Sequence, residues 1–288
     1  MEKLLEAANQ VMSGEESDAV RTAVLAAPFA VPGEKAYVPL LIEIDGPTLL
    51  AGRQPPALPV EIYAYALDEL GAVHDFLTQT VGVDLAKAGA PLLQGGLKFF
   101  GHLDLLPGDY SLRILVRNGA TGVSGLRVVP LHVPAFARGE AALLPPLVPE
   151  PAGRWVVVRE EPRGEGKPPD YPFLLRNEPF LPALRPAVTP GREVRLVLAG
   201  FNLSGDWKPE ARLLTRDGRE VPGGVLQVAD RKKDASGAVP TERVLATFRP
   251  PADLKPGEYE LRVTVPGVPQ AAGLRFVVHP AEARGPQG

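Results

Sequence analysis

Hydrophobic and polar positions alternate along most of this chain, a pattern typical of β-strands with one buried face. Residues 38, 40, 42 and 44 form one apolar series, while Glu43 and Asp45 fall between and after its members. The run LLPGDYSLRILV at 105–116 alternates in the same way, and LKPGEYELRVTV at 254–265 keeps its register. The pattern therefore predicts antiparallel strands over most of the sequence.

The Pro-Gly-acid-Tyr motif of these two runs occurs once in each half of the chain. Pro107 and Pro256 are 149 residues apart, a domain-sized period that indicates two tandem copies of one unit. Each motif resembles the tyrosine corner of immunoglobulin-like sandwiches, in which a Tyr hydroxyl bonds to upstream backbone. We therefore expect Tyr110 and Tyr259 to act as structural tyrosine corners.

These patterns predict an all-β protein of two tandem antiparallel immunoglobulin-like or fibronectin-like β-sandwich domains with a short N-terminal helix. Leu4, Leu5, Ala8 and Val11 recur at helical spacing and carry the helix prediction. The predicted segments are a helix in 1–18, sandwiches at 19–135 and 181–280, a proline-rich linker at 136–180 and a disordered tail at 281–288.

The linker prediction depends on proline. Consecutive prolines favour extended, stiff backbone, so we expect residues 136–180 to hold the two domains apart. Within this segment RWVVVRE and YPFLLRN are predicted to pair as a hairpin that packs Trp155 on one domain.

Composition excludes several classes of function. The formal net charge of −3 gives no field that would attract nucleic acid, so no nucleic-acid partner is expected. The absence of cysteine removes disulfides, thiolate catalysis and cysteine-based zinc sites. The first twenty residues lack the apolar core of a signal peptide, and we expect no membrane insertion by this chain.

Candidate catalytic and metal-binding residues do not form a recognisable pattern. His74, His102, His132 and His279 lie on separate predicted strands without ligand spacing, so strand-edge histidines are favoured over a metal site. Ser124 lies in a predicted turn outside any G-x-S-x-G motif. We expect no catalytic, cofactor-binding or metal-binding residues, and no cofactor.

One outward-facing set of side chains is a candidate contact patch for a partner. If Phe99 points inward, Phe100 and His102 point outward. Arg113 and Arg117 occupy the polar face of the following strand and are expected beside them. The alternative is that the linker or the other domain covers this face.

The run GLKFFGHLDLLPGDYSLRILVRNGATGVSGL, with the later GRWVVVRE and YPFLLRNEPFLPALRPAVTPG, resembles the C-terminal region of bacterial, largely acidobacterial, VWFA-related proteins. The resemblance spans about residues 24–278. It implies a cell-envelope setting after export, although the absent signal peptide leaves a cytoplasmic location open. The chain has no D-x-S-x-S motif of the von Willebrand type A domain, so that family's magnesium site corresponds to no position here.

Together these observations predict a noncatalytic protein that acts as a structural spacer and protein-interaction module, with a protein partner of unknown identity. The alternative is a carbohydrate-binding or hydrolase-accessory β-sandwich module. Exposed aromatic rings would favour carbohydrate binding, and a cleft that gathers histidines and carboxylates would favour a hydrolase.

Overall fold

The computed structural model describes residues 2–52, 54–150, 153, 155–162, 171–175, 178–203, 206–234 and 237–280. The chain divides into two compact units, one drawn from Met1–Arg138 and Pro151–Pro179, the other from Gly139–Glu150 and Phe180–Gly288. The chain therefore passes between the units three times. Each unit contains two four-stranded sheets, and the protein is all-β with immunoglobulin-like sandwich units and few helices.

The first unit begins with helix α1 (Glu2–Ser13) and contains two further helices, α2 (Gly46–Leu49) and α3 (Leu85–Gly95). One sheet has the order β1-β2-β5-β10 and the other β4-β3-β6-β7. The strands are β1 (Thr22–Ala26), β2 (Ala36–Ile44), β3 (Ala57–Leu67), β4 (Val73–Asp84), β5 (Leu97–Leu105), β6 (Gly108–Asn118), β7 (Ser124–Val133) and, later in the chain, β10 (Val156–Arg159).

The second unit has sheets of order β17-β18-β14-β8 and β16-β15-β19-β20. Its strands are β8 (Ala142–Leu143), β14 (Val194–Phe201), β15 (Glu210–Thr215), β16 (Glu220–Val221), β17 (Val225–Asp234), β18 (Thr241–Arg249), β19 (Gly257–Thr264) and β20 (Ala272–Val278). Short pairs are formed by β9 (Val148–Glu150) with β13 (Leu181–Ala183), and in the first unit by β11 (Leu174–Leu175) with β12 (Glu178–Pro179). A 3-10 helix, Phe136–Arg138, follows β7.

Alternating apolar residues fill both sandwiches. Val38, Leu40 and Ile42 of β2 are fully buried, as are Leu261 and Val263 of β19. Burial of such side chains contributes roughly 1.5 to 3 kcal/mol each relative to exposure. In the second unit the core combines residues of both sheets, including Leu198, Phe248, Leu261 and Phe276.

Residues 136–180 were predicted to be a linker, but parts of this segment pair with strands of the two units. Residues 142–143 pair with β14, and Val156–Arg159 pair in parallel with β5. The predicted hairpin between RWVVVRE and YPFLLRN is wrong, because the first run pairs with β5 and Leu174–Leu175 pair with Glu178–Pro179. The prolines did not prevent these short strands because each lies at a sheet edge or in a two-stranded pair, where a missing N–H donor is tolerated.

Helix α1 occupies residues 2–13 of the predicted 1–18. Ala7 and Val11 are buried against Leu115 and Leu126, whereas Ala8 is exposed. The side chains of Leu4 and Leu5 and the tail at 281–288 lie outside the described residues. Helix α3 was not predicted: its sequence LAKAGAPLLQG contains Pro91, and the signal for its start is Asp84, which accepts a hydrogen bond from the Ala86 N–H at 3.0 Å.

Candidate functional site

The two repeated tyrosines make equivalent hydrogen bonds. Tyr110 Oη donates to the Leu106 carbonyl oxygen at 2.9 Å, and Tyr259 Oη donates to the Lys255 carbonyl oxygen at 2.9 Å. Both rings are 8% exposed. Between tyrosine and acceptor, Gly108 and Gly257 adopt φ of 155° and 157°. This backbone carries the chain from one sheet of each sandwich to the other.

We expect Tyr110→Phe and Tyr259→Phe each to lower the free energy of unfolding of its own unit by about 1 kcal/mol. The loss is modest because both hydrogen bonds are only partly buried, and a typical hydrogen bond contributes about 1 kcal/mol net. Chemical denaturation of the two variants measures both losses. Unchanged unfolding midpoints in both would contradict a stabilising role for these bonds.

The outward face of β5 is covered, and the covering residues come from after β7. We call the described residues 155–162 and 171–175 the strap. Phe100 packs against Tyr171 with 5.0 Å between ring centroids, and His102 Nδ1 contacts Glu160 Oε1. Phe100 and His102 are each 8% exposed. The segment predicted as a linker therefore covers both side chains, which is the alternative given for this face.

Charged groups on this face are paired beneath the strap. Lys98 is fully buried, its Nζ lies 2.9 Å from Glu43 Oε1, and it stands 4.5 Å from the centre of the Trp155 ring. Burial, reinforced by the negative charges of Glu160 and Asp104, raises the pKa of Tyr37 far above its usual value. The pKa of Tyr171 is raised by burial to about 12. These groups hold the strap on the sheet rather than face solvent.

The two arginines of the predicted patch lie under helix α1. Arg113 Nη1 donates to the carbonyl oxygens of Val11 at 2.9 Å and Met12 at 2.6 Å, close to the negative end of the helix dipole. Arg117 is 6% exposed and lies 3.1 Å from Glu6. Both therefore anchor α1 on β6.

The predicted patch of Phe100, His102, Arg113 and Arg117 is therefore wrong as a single surface. Phe100 and His102 lie on β5 in one sheet, whereas Arg113 and Arg117 lie on β6 in the other. Alternation shows which residues share a face of a strand, but the corner between β5 and β6 moves the chain to the second sheet. Phe100 and His102 contact the strap, and Arg113 and Arg117 contact helix α1.

Other ionisable residues form separate pairs. His74 Nε2 lies 2.7 Å from Asp68 and His132 Nδ1 lies 2.7 Å from Asp109. Ser124 Oγ donates to the Gln10 side chain at 3.0 Å. Within the described residues, no three His, Cys, Asp or Glu side chains come together in a group suited to a metal ion.

The second unit contains a buried polar cluster that sequence analysis missed. Trp207 Nε1 donates to Glu242 Oε2 at 2.7 Å, and Arg231 Nη1 donates to Glu242 Oε1 at 2.9 Å. Arg231 also donates to the Trp207 carbonyl oxygen at 2.5 Å and stacks on its ring at 4.9 Å. Glu242 also lines a shallow cavity of about 180 Å³ with Leu203 and Lys233. Trp207 and Glu242 are 35 positions apart, and no sequence motif links Trp207, Arg231 and Glu242.

Exposed apolar side chains lie on two edge strands and on the turn before one of them. In the first unit Leu70, Val73 and Phe76 are 94%, 45% and 53% exposed, and β4 is the edge of its sheet. Phe76 stacks on Tyr65 of β3 at 5.6 Å with 13° between the rings. In the second unit Val225 and Val228 are exposed on the edge strand β17.

No family model matches the chain, and no curated protein matches it. Among solved structures it is similar to the C-terminal domain of the antigen I/II-family protein AspA of Streptococcus pyogenes, with 11% identity, 89% of this chain and 98% of that one covered, and a TM-score of 0.25. The chain is also similar to bovine butyrophilin, with 10% identity, 90% of this chain and 100% of that one covered, and a TM-score of 0.22. A third similar structure is SGBP-B of the Bacteroides ovatus mixed-linkage glucan utilization locus in complex with a mixed-linkage heptasaccharide. Its identity is 12%, 76% of this chain and 37% of that one are covered, and the TM-score is 0.19. At these TM-scores the likenesses carry no argument about function.

Among the described residues, no helix combines the length and the hydropathy that crossing a bilayer requires.

Proposed function

We propose that the protein is a noncatalytic structural spacer and protein-interaction module that binds a protein partner along edge strand β4. The observation that carries the proposal is the exposed Phe76, stacked on Tyr65 at the edge of the first sandwich beside Val73. The resemblance to VWFA-related proteins supports a place for this module at the bacterial cell envelope.

An edge strand offers unpaired backbone donors and acceptors, and extended peptides bind such strands by adding to the sheet. Natural edge strands are commonly protected by lysines or bulges. Strand β17 has both, with Lys232, Lys233 and a bulge between Val228 and Asp230. Strand β4 also has a register shift, where Ala66 pairs with Asp75 and Leu67 with Val73, but it has no lysine or arginine between Val73 and Asp84. The charge pattern therefore favours β4 as the strand that receives a partner.

The side chains around β4 suit strand addition. Thr78 and Thr80 are exposed on the same face as Phe76, and threonine favours extended backbone. Leu77 and Val81 point to the core and fix the register of β4 on β3. A partner strand would find a rigid edge with one aromatic ring beside it, and aromatic rings are common energetic centres of interfaces.

Phe76→Glu tests this proposal, with Leu93→Glu on α3 as the matched control because Leu93 is also 53% exposed. Partners are captured by crosslinking from the envelope fraction of the source cell and identified by mass spectrometry. We expect Phe76→Glu to weaken the affinity of the captured partner about tenfold or more and Leu93→Glu to leave it unchanged. Both variants are expected to keep wild-type stability within about 0.5 kcal/mol.

Two results would contradict the proposal. Equal binding of the partner by Phe76→Glu and wild type would remove β4 as the contact surface. Turnover of a peptide, ester or glycoside substrate by the purified chain would remove the noncatalytic role.

The exposed Phe76 ring also supports carbohydrate binding as a second candidate, because sugars bind on the faces of exposed rings. Affinity electrophoresis in gels that contain soluble polysaccharides separates the two. Retardation of wild type but not of Phe76→Ala would favour the carbohydrate candidate over a protein partner.

A further inference from the structure

The sheet that contains β5 is completed differently from its counterpart in the second unit. Strand β18 lies between β14 and β17, and β17 is the strand that directly precedes it in the chain. Strand β5 lies between β2 and β10, but the element that precedes β5 is helix α3. The place that β17 fills locally is therefore filled in the first unit by β10, which comes from beyond β7.

Strand β10 and the residues around it contact β5 as an extended peptide contacts a binding domain. Residues 156–159 pair in parallel with 97–100, and backbone pairing of this kind supplies affinity without a folded ligand. Phe173 is 1% exposed and lies 6.0 Å from the Phe29 ring and 6.4 Å from the Phe100 ring. We call the surface of β5 that the strap covers the β5 groove. It offers backbone pairing along residues 97–100 and aromatic contacts from Phe29 and Phe100.

Charged residues of the β5 groove also have partners on the strap. The groove presents Lys98 and His102, and the strap brings Trp155 over the first and Glu160 onto the second. The fit between the strap and the groove is imperfect, because the buried Trp155 Nε1 has no hydrogen-bond acceptor among the described residues. Val157 of the four-residue strand is 42% exposed. These features are typical of a segment that can detach while the sandwich stays folded.

We propose that the β5 groove also takes the strap of a second copy of this chain, which gives a strand-exchanged dimer. The chain itself carries a segment whose backbone, rings and acid fit the groove, and every contact above is recovered when that segment comes from another copy. The strap lies between two passages of the chain from one unit to the other, at 150/151 and 179/180. These passages are the places where the crossing to a second copy would occur.

The experiment mixes a chain with a defective strap, Phe173→Glu, and a chain with a defective groove, Phe100→Glu. Each alone is expected to be a monomer by size exclusion with light scattering. In the mixture, the intact strap of the second variant meets the empty groove of the first, and we expect a complex of two chains. A labelled synthetic peptide of residues 155–175 is expected to bind Phe173→Glu saturably and to bind Phe100→Glu at least tenfold more weakly.

A mixture that stays monomeric, while circular dichroism shows both variants folded, would overturn the proposal. If the peptide binds but the mixture stays monomeric, the groove accepts the free segment but not the segment of a second intact chain, and the second-copy proposal fails. Phe76 is on the other sheet and is unchanged in both variants, so this result is independent of the proposed partner surface.

Hydrogen exchange on the wild-type chain tests the same proposal if a variant does not fold. Amides of Val156–Arg159 are expected to exchange at least tenfold faster than those that pair β2 with β5. Equal rates would mean that the strap leaves only when the whole unit unfolds, which would exclude exchange between native copies.

Discussion

Replacement of Glu242 by leucine is expected to lower the free energy of unfolding of the second unit by about 3 to 5 kcal/mol. The Glu242 side chain is 7% exposed and accepts hydrogen bonds from both Trp207 and Arg231. Leucine fills a similar volume but leaves the indole N–H and the Arg231 guanidinium without this carboxylate in a mostly buried site. Breaking a buried ion pair from one side costs far more than the pair contributes as a whole.

Glu242→Gln is the matched control for this prediction. Its amide oxygen still accepts one hydrogen bond, so we expect a loss of about 1 to 2 kcal/mol. The chain has two tryptophans, Trp155 in the first unit and Trp207 in the second, so their fluorescence follows both units during denaturation. Equal stabilities for Glu242→Leu and wild type would show that the cluster does not stabilise the sandwich.

Gly125→Ala is expected to destabilise the first unit by about 3 kcal/mol and to detach the segment that joins α1 to β1. A Cβ at residue 125 would lie 1.8 Å from the Val20 carbonyl oxygen and 3.2 Å from that of Ser17. Both are backbone atoms, so the clash is relieved only if residues 17–20 move away from β7. That movement would break the two hydrogen bonds between Ser17 and Leu126.

Gly82→Ala on β4 is the control, because a Cβ at residue 82 meets no atom within 4 Å. We expect it to be neutral or to stabilise by a few tenths of a kcal/mol, since alanine restricts the unfolded chain more than glycine does. Limited proteolysis between residues 14 and 21, combined with thermal unfolding, measures both variants. Protease resistance of Gly125→Ala equal to that of wild type would contradict the predicted detachment.

The patterns that are local in sequence predicted the strands well. The apolar series of β2 and the alternation of β6 and β19 depend on residues within one strand. Helix α3 was missed because Gly89 and Pro91 lower helix propensity, while its cap and its packing support the helix.

The candidate site was predicted less well because its contacts are not local. Phe100 and His102 were placed on the outward face of β5, but their contacts with Tyr171 and Glu160 join residues about sixty or seventy positions apart. The first unit has no strand directly before β5 in the same sheet, where the second unit has β17. This difference becomes visible only when the two sheets are compared.

The all-β class, the repeated unit and the positions of Tyr110 and Tyr259 follow from the sequence, because side-chain alternation and turn chemistry act over a few residues. Three features depend on contacts between distant segments: residues 156–159 complete a sheet of the first unit, α1 covers Arg113 and Arg117, and Phe76 is left exposed. Backbone pairing between distant strands is nearly independent of side-chain identity. The choice of neighbour for β5 therefore depends on which segments the whole chain brings to its edge.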